Sequence, residues 1–190
     1  MSKFDGHVRD VGEIPAELRT ALVHKMSDNA HLWLVNDPRF LTAHPDSRHI
    51  VFKFPNLYPQ THLSASRTAL WDDWAELLTP VIEVVRQSYG FVGCATSKVM
   101  LSSLLAHAKV PPHVDSNPSS LVPHKVHVPL TTNPDVTFVI DGERHHLALG
   151  RAYEINNLLT HSVENAGDLD RVHFIFEIYP TGVTTSGATR

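Results

Sequence analysis

The sequence predicts an α+β fold in which helices in the first half of the chain support a jelly-roll of short strands in the second half. Two observations predict it: a strong apolar helical stripe precedes residue 90, and short alternating segments separated by turn residues follow it. With 190 residues and 42% hydrophobic composition, we expect one domain, 1–190. We divide it into a mixed support region, 1–90, a β core, 91–180, and a frayed polar tail, 181–190.

The first elements of the support region are a helix and a strand. In "IPAELRTALVHKM", Pro15 suits a first helical position, and the apolar residues that follow it have helical spacing. In "RHIVFKF", the alternation of Ile50, Phe52 and Phe54 predicts a strand. These two segments are expected to buttress the β core.

The clearest helix is "TALWDDWAELLTPVIEVVRQSYG". Its apolar positions form one face of a helix, as expected of core packing. They are Leu70, Trp71, Trp74, Leu77, Leu78 and Val81. Because Pro80 falls inside the stripe and cannot donate a backbone hydrogen bond, we expect a kink or a break into two helices there.

The second half contains short strands at near-regular spacing. The segments are "KVHVPL", "DVTFVI", "ERHHL", "GRAYEI", "HSVEN" and "RVHFIFEIY". Asp141-Gly142 suits the type I′ turn of a hairpin. Strands of this number and spacing predict a sandwich or barrel, here a jelly-roll.

Composition excludes some classes of partner. The formal charge is −4 and there is no Lys/Arg run, so nucleic acid is not expected. There is no apolar run long enough for a membrane span or a signal peptide. Cys94 is the single cysteine, which rules out an internal disulfide, and we expect a cytoplasmic protein. Fourteen histidines raise the expectation of a metal or acid–base site.

The stretch "PPHVDSNPSS" contains a His-x-Asp pair, His113 and Asp115. Residues two apart project from the same side of an extended chain. A third ligand must come from an adjoining strand, and His161 in "HSVEN" is that candidate. Two imidazoles and one carboxylate form the facial triad of non-haem Fe(II) oxygenases. Its open positions can accept a bidentate 2-oxo acid and then dioxygen.

Arg171 begins the last long strand and offers a fork that binds a carboxylate bidentately. If Arg171 faces inward to bind the far carboxylate of a dicarboxylate co-substrate, strand alternation turns His173, Ile175 and Glu177 inward as well. The intervening residues are all apolar, as a sheet face covered by helices requires. They are Val172, Phe174, Phe176 and Ile178.

The pattern "H-x-D", then "HSVENAGDLDRVHFIFEIY", resembles the aspartyl/asparaginyl β-hydroxylase family of Fe(II)/2-oxoglutarate oxygenases over roughly residues 95–180. The resemblance implies a double-stranded β-helix, iron held by His113, Asp115 and His161, and 2-oxoglutarate bound by Arg171. It implies dioxygen as oxidant, and hydroxylation rather than halogenation because Asp115 is retained.

The resemblance also suggests further co-substrate contacts. The family has an Arg-x-His pair where this chain has "HKVHVPL", so His127 matches and Lys125 replaces the arginine. Lysine supplies charge but no fork. Ser102 occupies the place of a hydroxyl near 2-oxoglutarate. By resemblance, the expected substrate is an amino-acid side chain, Asp- or Asn-like, in a free amino acid or short peptide. The expected inward direction of His173, with Arg144 nearby, makes these two residues candidates for binding a substrate carboxylate.

Two other functional classes fit the same residues. One is a cupin-type metal-dependent hydrolase or isomerase with zinc or manganese, which Arg171 disfavours because that chemistry needs no dicarboxylate. The other is a non-catalytic metal-binding sensor or scaffold, which the intact triad disfavours. The neighbouring His145 and His146 resemble a further pair of metal ligands. Adjacent strand residues point to opposite faces, however, so the two cannot bind one ion from a regular strand. At most one of them is expected to line the cavity.

Overall fold

A computed structural model describes residues 4–34 and 46–181, which form two α-helices and two antiparallel β-sheets. The helices are α1 (Ala16–Asp28) and α2 (Trp71–Ser88), and two short 3₁₀ segments span Ala30–Leu34 and Pro118–Ser120. The strands before α2 are β1 (Val8–Glu13), β2 (Ser47–Pro55) and β3 (Ala65–Arg67). The later strands are β4 (Cys94–Leu104), β5 (Lys109–His113), β6 (His124–Thr131), β7 (Val136–Ile140), β8 (Glu143–His145), β9 (Arg151–Ile155), β10 (His161–Asn165) and β11 (Arg171–Pro180).

The strand order is that of a jelly-roll. The larger sheet runs β1-β9-β6-β11-β4-β2-β3 and the smaller runs β5-β10-β7-β8. From β4 onward the chain passes repeatedly between the sheets, and the β7–β8 hairpin is the one pair of consecutive strands that shares a sheet in that part of the chain. The predicted α+β fold with a double-stranded β-helix core is therefore confirmed.

The two helices cover the outer face of the larger sheet. Leu22 of α1 and Trp74 of α2 are almost fully buried and belong to one apolar cluster with the outer row of β11. That row is Val172, Phe174, Phe176 and Ile178, as strand alternation predicted. The burial of this row against helices forces Arg171, His173, Ile175 and Glu177 to the opposite face, between the sheets.

Of the kink or break predicted at Pro80, the break into two helices is wrong. Helix α2 runs without interruption from Trp71 to Ser88. A proline inside a helix costs about 3 kcal/mol, but Leu78 and Val81 on either side of it are fully buried against the sheet. This packing stabilises the helix despite the backbone hydrogen bond that Pro80 cannot donate.

A second apolar cluster fills part of the space between the sheets and includes Phe138, Ile140 and Ile155. The hairpin that carries β7 and β8 turns at Asp141 and Gly142, with φ of 48° and 86°. Both positive values match the predicted type I′ turn. Among the described residues, no helix combines the length and apolar character needed to cross a bilayer. Of the predicted tail, only Thr181 lies within the described residues.

Candidate active site

A cavity of about 410 Å³ lies between the sheets. Its lining includes all seven residues that the sequence marked for metal or co-substrate binding: Ser102, His113, Asp115, Lys125, His127, His161 and Arg171. They come from both sheets, since β5 and β10 belong to the smaller sheet and β4, β6 and β11 to the larger. The fold thus brings residues that are far apart in sequence to one cavity.

His113 and His161 face each other across two paired strands. His113 ends β5, His161 begins β10, and the two are direct cross-strand partners. Their ring centroids lie 4.2 Å apart. Asp115 follows in the loop after β5, and one ligand atom from each of the three residues lies within 4.8 Å of the others. Three donors this close can hold one metal ion.

Backbone carbonyls fix the orientation of both imidazoles. His113 Nδ1 lies 2.9 Å from the carbonyl oxygen of Pro111, and His161 Nδ1 lies 2.9 Å from that of Leu159. A carbonyl oxygen only accepts, so each Nδ1 must donate, and in the neutral ring the lone pair is then on Nε2. Burial, followed by the charge of Lys125, lowers the pKa of His161 to about 4. A neutral imidazole with a free Nε2 is the form that binds metal.

The two oxygens of the Asp115 carboxylate have different neighbours. Oδ1 lies 3.9 Å from His113 Nε2, whereas Oδ2 accepts a hydrogen bond from Lys125 Nζ at 2.5 Å. The Asp115 backbone N–H donates to the Asn157 carbonyl oxygen at 3.0 Å, which fixes the loop. Burial opposes ionisation, but the charges of Lys125 and Lys98 outweigh it and hold the pKa of the Asp115 carboxyl well below its usual range. Oδ1 is therefore an ionised oxygen directed to the imidazole side.

Arg171 is a buried cation of the cavity lining. The residue is 3% exposed, and among the described residues Nε and Nη1 have no hydrogen-bond partner. Burial lowers the pKa of Arg171 to about 9, so the guanidinium is still charged at neutral pH. The guanidinium carbon lies 5.6 Å from the Phe138 ring centroid. A buried, unpaired guanidinium is costly unless an anion binds it.

One further histidine of the cavity lining, His127, contacts His173, which is buried but is not part of the lining. His127 Nδ1 and His173 Nδ1 are 3.2 Å apart, and the His173 ring stacks on Phe138 at 5.7 Å. Burial lowers the pKa of both imidazoles well below the usual value. Ser102 on β4 is the cross-strand partner of His173 and is buried. His127 and Ser102 therefore lie where the sequence placed them, while their contact with a co-substrate remains a prediction.

Sequence reasoning missed a buried ion pair beside this site. Lys98 Nζ donates to Glu177 Oε1 at 2.8 Å, and the hydroxyls of Ser97 and Ser120 donate to the same carboxylate. Lys98 lines the cavity. Alternation along β11 did turn Glu177 inward, but nothing in the sequence singled out Lys98 as its partner.

Four residues that the sequence suggested are not part of the cavity lining: His173, Arg144, His145 and His146. Arg144 is exposed, donates to Thr137 Oγ1 and is not part of the lining, so its suggested role in binding a carboxylate there is not supported by its position. Neither His145 nor His146 contributes to the lining within the described residues. Strand β8 is an edge strand and is separated by β7 from β10, the strand that begins with His161.

Comparison with known proteins identifies the same family that the sequence resembles. The profile of the family described as Aspartyl/Asparaginyl beta-hydroxylase matches residues 67–180, and so extends the predicted resemblance to α2. No curated protein sequence matches at a significant level.

Solved structures share the fold at low identity. A 2OG-Fe(II) oxygenase family oxidoreductase from Burkholderia pseudomallei has 12% identity and a TM-score of 0.58, over 86% of this chain and 88% of that one. A Pseudomonas putida prolyl-4-hydroxylase has 14% identity and a TM-score of 0.55, over 92% of both. A prolyl hydroxylase from Trichoplax adhaerens, solved with a hypoxia inducible factor peptide fragment, has 8% identity and a TM-score of 0.59, over 90% and 82%.

The family profile spans more than half of the chain, including every residue of the cavity that the sequence predicted. The His/His/Asp cluster supplies the ligand types that the class of enzyme requires. The chain therefore belongs to the aspartyl/asparaginyl β-hydroxylase family, and is a hydroxylase dependent on Fe(II), 2-oxoglutarate and dioxygen.

Proposed function

We propose that this enzyme hydroxylates the side chain of a free amino acid or of an Asp- or Asn-like residue in a short peptide. Fe(II) is held by His113 Nε2, His161 Nε2 and Asp115 Oδ1, and 2-oxoglutarate by Arg171. The observation that carries the proposal is the buried guanidinium of Arg171, whose Nε and Nη1 have no hydrogen-bond partner among residues 4–34 and 46–181, in the same cavity as the His/His/Asp cluster. A carboxylate bound there would pair with this cation.

The residues fit the metal. Two imidazoles and one carboxylate are the donor set of the facial triad. The Nδ1 contacts to Pro111 and Leu159 hold the rings in place, and metal-binding histidines usually donate their other ring N–H to such a partner. When bound, iron and 2-oxoglutarate supply the oxidising power, in a reaction that consumes dioxygen and yields succinate, carbon dioxide and the hydroxylated product.

The charge of the lining supports anionic occupants. Lys98, Lys125 and Arg171 contribute three positive charges, and Asp115 contributes one negative charge. The charge of Lys98 is neutralised by its ion pair with Glu177, which is not part of the lining. A ferrous ion adds to the positive charge, so a dianionic co-substrate and an acidic substrate side chain both suit the cavity. This favours Asp over Asn as the first substrate to test.

The exposed part of the lining combines apolar and polar side chains, as expected where a substrate is recognised. Leu57 lines the cavity although it is 83% exposed, and Gln60 and Asn117 are exposed polar residues of the same lining. Polar side chains at the rim can bind the main-chain groups of an amino acid or peptide. The buried end, with Arg171 and Phe138, is left for the co-substrate.

The test is a screen of amino acids and short Asp- or Asn-containing peptides for succinate release, with mass spectrometry of the product. We expect Fe(II)-dependent succinate release coupled to insertion of one oxygen atom. Zn(II) should not replace Fe(II). Turnover of a substrate with Zn(II) and without 2-oxoglutarate would instead support a cupin-type hydrolase or isomerase. Oxidation of a substrate other than an amino-acid side chain would overturn the substrate assignment but not the cofactor assignment.

A further inference from the structure

A second cluster of metal-binding side chains lies outside the active-site cavity. His7, Glu143 and His145 each offer one ligand atom, and these atoms lie within 4.8 Å of one another. His7 Nδ1 is 2.9 Å from Glu143 Oε2, and His145 Nε2 is 3.7 Å from the same oxygen. None of the three lines the cavity that contains the triad.

Strand geometry directs Glu143 and His145 to the same side. They are two residues apart on β8, and their partners on β7 are Ile140 and Phe138, both of which are buried between the sheets. Cross-strand partners share a face, so Glu143 and His145 point to the inner side of the smaller sheet. Arg144, between them, pairs with Val139 and points outward.

His7 approaches this face from the other sheet. It immediately precedes β1, the edge strand of the larger sheet, whereas β8 is the edge strand of the smaller sheet. Its main chain is held in place, because the His7 carbonyl oxygen accepts a hydrogen bond from the Asn156 backbone N–H at 2.9 Å. The Gly6 carbonyl oxygen accepts another from Asn156 Nδ2. The cluster therefore lies where the two open sheet edges meet.

The donor atoms are arranged as a ligand set rather than as a completed hydrogen-bond network. Among the described residues, His145 Nε2 is a buried atom with no hydrogen-bond partner. In a tetrahedral zinc site with ligands at about 2.1 Å, the ligand atoms are about 3.4 Å apart. The observed 2.9 and 3.7 Å bracket that value. The Glu143 side chain is 63% exposed, which leaves a path for an ion from solvent.

We propose that His7, Glu143 and His145 form a second divalent-metal site, of the zinc type, with water completing the coordination. Two imidazoles and one carboxylate suit Zn²⁺ and neighbouring transition metals. Because the ligands come from the edge strands of different sheets, a bound ion clamps the edges together and stabilises the fold against opening there. The site does not depend on the proposed catalytic function.

The experiment measures how many equivalents of Zn²⁺ bind to untagged full-length wild type and to its variants, by equilibrium dialysis and metal analysis. Two variants remove a proposed ligand: Glu143→Gln, in which the side chain keeps its size and shape, and His145→Ala. The matched control is His146→Ala, because the neighbouring His146 side chain contacts the Val136 carbonyl oxygen rather than the cluster. Circular dichroism and 2-oxoglutarate binding check that each variant is folded.

We expect wild type and His146→Ala to bind one more equivalent of Zn²⁺ than Glu143→Gln and His145→Ala. Zn²⁺ should also raise the melting temperature of wild type more than that of His145→Ala. The difference between proteins does not depend on whether the triad binds an ion, since all four retain it. Equal stoichiometry in wild type and in folded Glu143→Gln and His145→Ala would overturn the proposal.

Discussion

Lys125 Nζ lies 2.5 Å from Asp115 Oδ2. A lysine on β6 of the larger sheet thus forms a hydrogen-bonded ion pair with a carboxylate in the loop that follows β5 of the smaller sheet. The family resemblance placed an arginine at position 125, in contact with the co-substrate. In this chain the lysine instead pairs with Asp115, and leaves Oδ1 of the same carboxylate facing the imidazoles. We infer that Lys125 is a positioning residue that acts through Asp115.

Replacing Lys125 with methionine should weaken metal binding. The variant removes the cation that orients Asp115 and favours its ionised form. Loss of a residue that hydrogen-bonds to a metal ligand typically costs about 10- to 100-fold in metal affinity or activity. Calorimetric titration with Mn(II) at neutral pH measures the loss, and Lys125→Arg, which keeps the charge, should recover most of it.

A surface lysine provides the control for this experiment. Lys109 on β5 pairs with Glu164 and its side chain is 68% exposed, so Lys109→Met should bind Mn(II) like wild type. If Lys125→Met also binds Mn(II) like wild type, Lys125 has no part in positioning Asp115.

Arg171→Leu should abolish high-affinity binding of 2-oxoglutarate while leaving metal binding intact. The loss of one partner from a buried charge pair costs about 2–5 kcal/mol of binding free energy. The free energy of unfolding without co-substrate should not fall, because the substitution removes an unpaired buried cation. Titration of the Mn(II)-loaded variant and urea unfolding together test this, and unchanged affinity for 2-oxoglutarate would refute the role of Arg171.

Asp115→Ala should lose hydroxylation and also destabilise the fold. The variant leaves Lys125, whose side chain is 11% exposed, without its carboxylate, and such a loss costs about 3–5 kcal/mol. The double variant Asp115→Ala/Lys125→Met should regain much of the stability but none of the activity. Urea unfolding and succinate release separate the two effects, and the exposed Asp168→Ala is the control. Full hydroxylation by folded Asp115→Ala would defeat the triad assignment.

The stability of the metal-free protein should fall as the pH drops below about 6.5. Burial, with Arg171 nearby, lowers the pKa of His173, and burial with Lys125 lowers that of His127. Both imidazoles are therefore neutral in the folded state, whereas the unfolded chain takes up protons in this range. The unfolded state binds more protons, so stability rises with pH by about 1.4 kcal/mol per pH unit for each group.

His173→Phe removes one of these groups while keeping a ring to stack on Phe138. Its unfolding free energy, measured by urea denaturation between about pH 6.5 and 5, should depend on pH less steeply than that of wild type, by about one proton. His107, whose side chain is 65% exposed, provides the control His107→Ala. An equal slope in wild type and His173→Phe would show that His173 is not a neutral buried group.

Much of the site could be predicted because strand alternation is a local rule. The apolar row of β11 predicted the direction of Arg171 and Glu177 from eight consecutive residues, 171–178, and this prediction needs only the period of a strand. The His-x-Asp spacing predicted that His113 and Asp115 lie close together, and they do, although Asp115 lies in the loop after β5. The hairpin at Asp141-Gly142 was predicted for the same reason, since both residues favour positive φ.

What the sequence did not predict depends on contacts between distant segments. Strand β1 has no clear apolar alternation and is ordered by pairing with β9. The Lys98–Glu177 pair joins two strands, the Lys125–Asp115 pair joins a strand to a loop, and His7 contacts Glu143 from 136 positions earlier in the chain. The break expected at Pro80 did not occur because burial of α2 against the sheet outweighs local propensity.

The central claim is tested most directly by titrating 2-oxoglutarate into the protein with and without Mn(II), in wild type, His161→Ala and Arg171→Leu. We predict one equivalent of 2-oxoglutarate bound by wild type only when Mn(II) is present, and no tight binding by either variant. Tight binding of 2-oxoglutarate that requires neither the metal nor Arg171 would contradict the account.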